Sequence, residues 1–167
     1  MAETSETYAD RQKVWELIKD IGVALLVTTG DGDRLRGRPM VAANKDFDGT
    51  LWFMAREGSP KTGEIGDRSQ VLLAYSSPKT QDYVSVSGVA RLVRDVAKIE
   101  ELWSEGSRVW FPKGPKDPGI VLIAVEVESA EYWDSPSSSL VYALGYAKAR
   151  LTGEPPKNVG ENKVVNF

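Results

Sequence analysis

Chemistry in this chain has to come from hydroxyls, carboxylates, amines and guanidiniums, because its 167 residues include no Cys and no His. Those two zeros exclude a thiol nucleophile, a Ser-His-Asp triad, an imidazole acid or base, and Cys- or His-ligated zinc, haem or iron–sulfur sites. One constellation of the remaining types stands out. Arg36-Gly37-Arg38-Pro39-Met40 is followed by Leu51-Trp52-Phe53-Met54 and then by Ser59-Pro60-Lys61. Two strands joined by a tight turn would bring the first two segments side by side, with Ser59 and Lys61 opening the next helical turn. A hydroxyl, an ammonium and free N–H groups make an anion pocket there, and Arg36 or Arg38 can add a guanidinium. Pro39 lacks an N–H and suits an edge or ligand-lining position. Taken singly, each residue reads as a solvated face or a soluble loop. Together they suit a ligand that joins a phosphate to a flat apolar ring.

Other local matches fail. Gly58 to Glu64 contains Gly, Lys, Thr and Gly, but Glu64 stands where a P-loop needs a cation for phosphate. Asp46-Phe47-Asp48 with Glu57 is spaced like a calcium loop, yet Leu51 replaces the sharp-turn Gly, so a hairpin turn is the better reading. Gly30-Asp31-Gly32 does not continue into GxGxxG and no helix follows it. Glu126 and Glu128 share a strand face, but nothing around them suggests a raised pKa, so they read as a solvated face.

The elements that must position the constellation follow from periodicity. Val14, Leu17, Ile18 and Ile21 recur at helical spacing over Asp10 to Asp20, and Gly22 closes that helix. Strands are expected at Val23 to Thr29, Arg36 to Asn44, Leu51 to Ala55, Val71 to Tyr75, Tyr83 to Val93 and Ile120 to Glu128, with turns at Gly30 to Asp33 and Asp46 to Gly49. Gly88 marks a bulge or close backbone approach. Helices are expected at Ser59 to Arg68, Asp95 to Glu105 and Ser135 to Arg150. The segment Lys157 to Phe167 shows little pattern. Six strands in a meander argue for one α+β domain, a small antiparallel barrel with peripheral helices. The domain spans 1–155, with 1–9 expected to be flexible and 156–167 a tail.

Lys and Arg number 21 against 24 Asp and Glu, a net charge of -3, so no basic field invites nucleic acid. A polar N-terminus and the absence of a long apolar run predict a cytoplasmic protein with no membrane association. With so few catalytic side chains on offer, any enzymology is expected to belong to a borrowed cofactor.

The segments Arg38-Pro39-Met40, Leu51-Trp52-Phe53, Ser59-Pro60-Lys61 and Tyr83-Val84-Ser85-Val86-Ser87-Gly88 resemble those of the pyridoxamine 5'-phosphate oxidase-like, FMN-binding split barrels. Trp110-Phe111-Pro112, Asp117-Pro118, Tyr132-Trp133-Asp134, Tyr146-Ala147-Lys148 and Thr152-Gly153-Glu154 are similar to the general stress protein 26 branch. The resemblance implies a six-stranded split barrel that forms a homodimer, with FMN in each of two clefts between subunits. It places Arg38, Pro39, Met40 and Val41 along the isoalloxazine and ribityl side, and Phe53, Met54 and Ala55 along the same wall. Ser59 and Lys61 would meet the phosphate, Tyr83 would lie near the ring, and Trp110 and Phe111 would close the cleft from one subunit or the other.

Two departures bear on function. Ala55 stands where relatives often carry Thr, removing a hydroxyl from the phosphate or ribityl side. True pyridoxamine-phosphate oxidases hold their substrate with a C-terminal motif containing Arg and His, and this chain has no His, which argues against that reaction. The expected function is an FMN-dependent oxidoreductase of the general stress type in which the flavin carries the redox chemistry. A non-catalytic FMN sensor or store, a deazaflavin F420-binding protein, and an interaction module with a vacant cleft are the alternatives.

Overall fold

A computed structural model describes residues 5–66, 69–134, 139–154 and 160–167. Helix α1 (Ser5–Ile21) buries Val14, Trp15, Leu17 and Ile18, and ends where Gly22 takes φ +81° and donates to the Ile18 carbonyl. It begins at Ser5, so it takes in part of the 1–9 segment expected to be flexible. Strands β1 (Val23–Thr29) and β2 (Leu35–Val41) form a hairpin through a 3-10 turn at Asp31–Asp33. Strand β3 (Thr50–Arg56) leads into the short helix α2 (Pro60–Ile65). Strands β4 (Ser69–Ser77) and β5 (Asp82–Val93) pair next, followed by helix α3 (Val96–Leu102), a 3-10 turn (Glu105–Val109) and the long strand β6 (Ile120–Asp134). Helix α4 (Ser139–Thr152) and strand β7 (Glu161–Asn166) complete the described chain.

All pairings are antiparallel, in the order β2-β1-β4-β5-β6-β3, with β7 added to β6. These six strands are the split barrel expected from the sequence. Inward-facing Ala24 and Leu26 of β1, Leu51 and Phe53 of β3, Leu73 and Tyr75 of β4, and Val84 and Val86 of β5 fill the interior, and α1 packs against it. Strand β6 is buried on both faces: Val121, Ile123 and Val125 enter this core, whereas Ile120 and Leu122 meet Ile99 and Leu102 of α3 in a second one. Asp95 caps α3 by accepting from the Lys98 N–H at 3.1 Å.

The structure corrects the reading of the last residues. Glu161–Asn166 is a strand, Val165 is buried, and Phe167 sets its ring edge-on to Phe47, which stacks on Trp15. Lys163 pairs with Asp10 at 2.8 Å, and Arg11 donates to the Asn166 carbonyl at 3.2 Å, so this strand also pins α1. The start expected for the last helix, at Ser135, lies outside the described residues.

The pairing of β5 with β6 shifts register between Ser87 and Gly88, where the sequence called for a bulge or a close approach. Both hold, because a Cβ added at Gly88 would sit 2.4 Å from the backbone oxygen of Glu126. Backbone cannot yield as a side-chain tip can. Gly88→Ala is therefore expected to destabilise the fold by about 2–3 kcal/mol, measured as a lower midpoint in urea denaturation; an unchanged midpoint would show that the strands separate freely there.

Candidate functional site

Strands β2 and β3 stand at opposite ends of the strand order. They are adjacent in sequence, and the segment after β2 meets β3 through Ala43 N–H to the Trp52 carbonyl, Trp52 N–H to Asn44 Oδ1 and Asn44 Nδ2 to the Thr50 carbonyl, each 2.7 Å. Beyond that junction they diverge, and a cleft of about 950 Å³ opens there. Pro39, Met40 and Val41 of β2 line it from one side, and Met54, Ala55 and Arg56 of β3 from the other. The segment Leu102 to Phe111 contributes Trp103, Ser104, Ser107 and Trp110, and Lys61 of α2 reaches it as well.

Alternation along β3 divides its side chains between two faces. Leu51, Phe53 and Ala55 point to the barrel core, and Trp52, Met54 and Arg56 point to the opposite face. Phe53 is fully buried in the interior, so its ring is part of the core that carries the cleft wall. On β2, Pro39 sits in unbroken register opposite Leu25 on an edge strand, as its missing N–H requires.

The cation set differs from the simplest reading of the sequence. Arg36 and Arg38 share one face of β2, but both turn to the Glu64 carboxylate, at 2.9 and 2.5 Å, and neither lines the cleft. Thr28 donates its hydroxyl to the same carboxylate at 2.6 Å and accepts from Arg38 Nη1 at 2.6 Å. The Thr28 bond, then Arg38 and Arg36, hold the Glu64 carboxyl below the usual carboxylate range. Lys61 has no hydrogen-bond or ion-pair partner among the described residues; burial, and next the Arg38 charge, push its ammonium below the usual lysine value. Ser59 precedes α2 and makes no side-chain cap bond, and its hydroxyl lies 3.5 Å from that of Thr62.

The roof is tied down by Arg56. Its guanidinium bonds the buried Asp117 at 2.7 Å and the Trp110 carbonyl at 3.2 Å, and stands 5.0 Å from the centre of the Phe111 ring. Phe111 is thereby buried in the second core, whereas Trp110 stays 76% exposed at the cleft mouth. Among the residues singled out from sequence, Pro39, Met40, Val41, Met54, Ala55, Lys61, Trp110 and Phe111 come together here. Arg38, Phe53, Ser59 and Tyr83 do not line the cleft; Tyr83 is half-exposed near the start of β5, opposite Trp133. Asn44, Lys45, Arg56 and Trp103 were missed. The Asp117-Pro118 segment was visible in sequence, but its pairing with Arg56 spans 61 positions and has no local signal.

The pyridoxamine 5'-phosphate oxidase-like family model matches residues 9–157. The chain belongs to this family. A structure described as a general stress protein 26 from Jannaschia sp. CCS1 superposes with a TM-score of 0.75 at 25% identity, covering 95% of this chain and 99% of that one. The general stress FMN/FAD binding protein from Xanthomonas citri gives a TM-score of 0.69 at 28% identity, over 81% of this chain and 93% of that one. Protein bli-3 of Neurospora crassa is 26% identical over 141 residues, 78% of this chain and 68% of that protein. The sequence resemblance to the general stress protein 26 branch therefore holds.

Asp117 has a pH signature. The Gly119 N–H, followed by Arg56, holds its carboxyl below the usual aspartate value. A depressed folded-state pKa stabilises the fold above the unfolded value, and that stabilisation disappears as pH falls through the folded one. Asp117→Asn should lower the melting temperature at neutral pH and flatten its dependence on pH below about 4; parallel wild-type and variant curves would show that the pair does not hold the roof.

Proposed function

We propose that this chain binds FMN in the cleft between β2 and β3 and serves as a general-stress-type oxidoreductase. The observation that carries this reading is Lys61, a cation without a partner among the described residues, at a cleft lined by Met40, Met54, Trp103 and Trp110. The cleft volume lies toward the upper end of the range for small-molecule sites, and its composition suits a flat apolar ring attached to an anion. An anionic group beside Lys61 would offset both the lost hydration and the repulsion from Arg38. The FMN/FAD binding described for the Xanthomonas citri relative supports the same ligand class.

Under this proposal Pro39, Met40 and Val41 flank the ring on one side, Met54 and Ala55 on the other, and Lys61 meets the phosphate. FMN, when bound, supplies hydride or electron transfer. The chain's own part is to position the ring, balance charge and exclude water with the Trp103 to Phe111 roof. Pyridoxamine-phosphate oxidation is not the proposed reaction: the chain has no His, and its last described elements are α4 and β7.

The proposal includes a homodimer. Val23 and Leu25 of β1, with Leu35 and Val41 of β2, are exposed large apolar side chains on adjacent strands, and Leu25 lies across Gly37, where an added Cβ would meet it at 2.9 Å. Val23 and Val41 also line the cleft, so a second copy covering this face would border the site. Sedimentation should give a dimer for the wild type and a monomer for Val41→Asp; a wild-type monomer would remove this part of the proposal.

Binding is tested by titrating FMN into the purified protein and following flavin fluorescence. Saturation at one FMN per chain is expected, and Lys61→Ala should weaken it by about thirtyfold, or roughly 2 kcal/mol, for loss of a desolvated charge–phosphate contact. No saturable binding by the wild type would overturn the flavin reading.

A further inference from the structure

Lys61 faces the cleft, yet Arg38, whose charge is felt there, and Arg36 are both turned to Glu64. Arg38 Nη2 and the Thr28 hydroxyl both donate to Glu64 Oε2, at 2.5 and 2.6 Å, and Arg36 Nη1 donates to Oε1 at 2.9 Å. The carboxylate that collects them sits three residues after Lys61, in the same short helix, with its side chain 11% exposed. A phosphate and a carboxylate make the same demand on a guanidinium, offering oxygen acceptors to its planar N–H fork.

We propose that Glu64 is an internal competitor for the ligand phosphate, holding the guanidiniums of Arg36 and Arg38 and so setting the affinity of the cleft's anionic end. This inference rests on the FMN reading above. The position of Arg38 supports it: its charge is felt at Lys61, so it lies within range of the group that meets the ligand, while both its terminal nitrogens are engaged on the Glu64 and Thr28 side. Formal charges there are Arg36 +1, Arg38 +1, Lys61 +1 and Glu64 -1, leaving +2. Neutralising Glu64 raises this to +3 and frees two guanidiniums. A phosphate reaching Lys61 in the native protein must either take Arg38 from Glu64 or bind without it. The sequence offered Arg36 or Arg38 to the anion pocket, and both are held in reserve by a carboxylate four residues beyond Pro60. Glu64 is a specificity-determining residue by this argument, since it acts on phosphorylated ligands and leaves the ring's contacts unchanged.

The test compares FMN with riboflavin, which has the same ring and no phosphate, in the wild type, Glu64→Gln, Arg38→Ala and the double variant. Glu64→Gln keeps the side-chain shape and an acceptor for Thr28. It should tighten FMN on the order of tenfold and leave riboflavin within about twofold. Arg38→Ala alone should weaken FMN less than Lys61→Ala does, but in the Glu64→Gln background it should abolish the gain. A misfolded variant cannot produce tighter binding, so the expected result is not open to that explanation. Weaker FMN binding by Glu64→Gln would show that Glu64 positions Arg38 for the phosphate and would overturn the inference. Equal shifts for FMN and riboflavin would overturn it too. If the wild type binds FMN with Lys61 dependence and Glu64→Gln does not tighten it, the competitor inference fails alone. Binding by Glu64→Gln but not by the wild type would support it. No binding by any of the four proteins would remove the flavin reading and this inference together.

Discussion

Strand β6 has to satisfy two cores at once, and much of the architecture follows from that. Its residues from Ile120 to Val125 are buried on both faces, so one face needs the barrel and the other needs a separate apolar layer. Helix α3 provides that layer with Ile99 and Leu102, and the chain returning from it brings Phe111 against the same patch. The roof over the cleft is therefore a by-product of covering β6. Pairing with β6 also places β3 at the end of the sheet opposite β2, which is what leaves the two edge strands apart.

Charge is distributed unevenly around that opening. At the roof, Arg56 is neutralised by a buried aspartate and spends its donors on holding backbone and ring. Near α2, Glu64 neutralises one of two arginines and leaves Lys61 without a counter-ion among the described residues. The cations thus play different parts: guanidiniums fasten the structure, and Lys61 stands at the cleft. Arginine suits the fastening role because its planar fork can bond several acceptors in fixed directions.

Local patterns were legible in the sequence, and long-range partners were not. Val23 to Thr29 is a strand with the expected bounds, and Gly88 marks both the bulge and the close approach it suggested. The cleft wall from Pro39 to Val41, with Met54, Ala55 and Lys61, follows the segments named from the residues and the family resemblance. Phe53 was grouped with that wall because segment resemblance does not respect alternation, which sends it into the barrel. Arg38 read as a phosphate ligand because Glu64 stands 26 positions away and meets it only when α2 folds beside β1 and β2. Glu161–Asn166 was missed as a strand because four of its six residues are polar and its outer face is exposed, so alternation around Val165 carried little signal.

The pinning of α1 by β7 bears on the order in which the protein can be assembled. Asp10 waits for Lys163, a separation of 153 residues, and Arg11 for the carbonyl of Asn166, a separation of 155. Contacts that span so much chain require closing a large loop and form late relative to hairpins such as β1–β2. Helix α1 can collapse early onto apolar strands and pair Lys13 with Asp134 of β6, whereas these tethers of Asp10 and Arg11 wait for β7. Strand β7 therefore locks α1 in place only once β6 offers an edge to pair with.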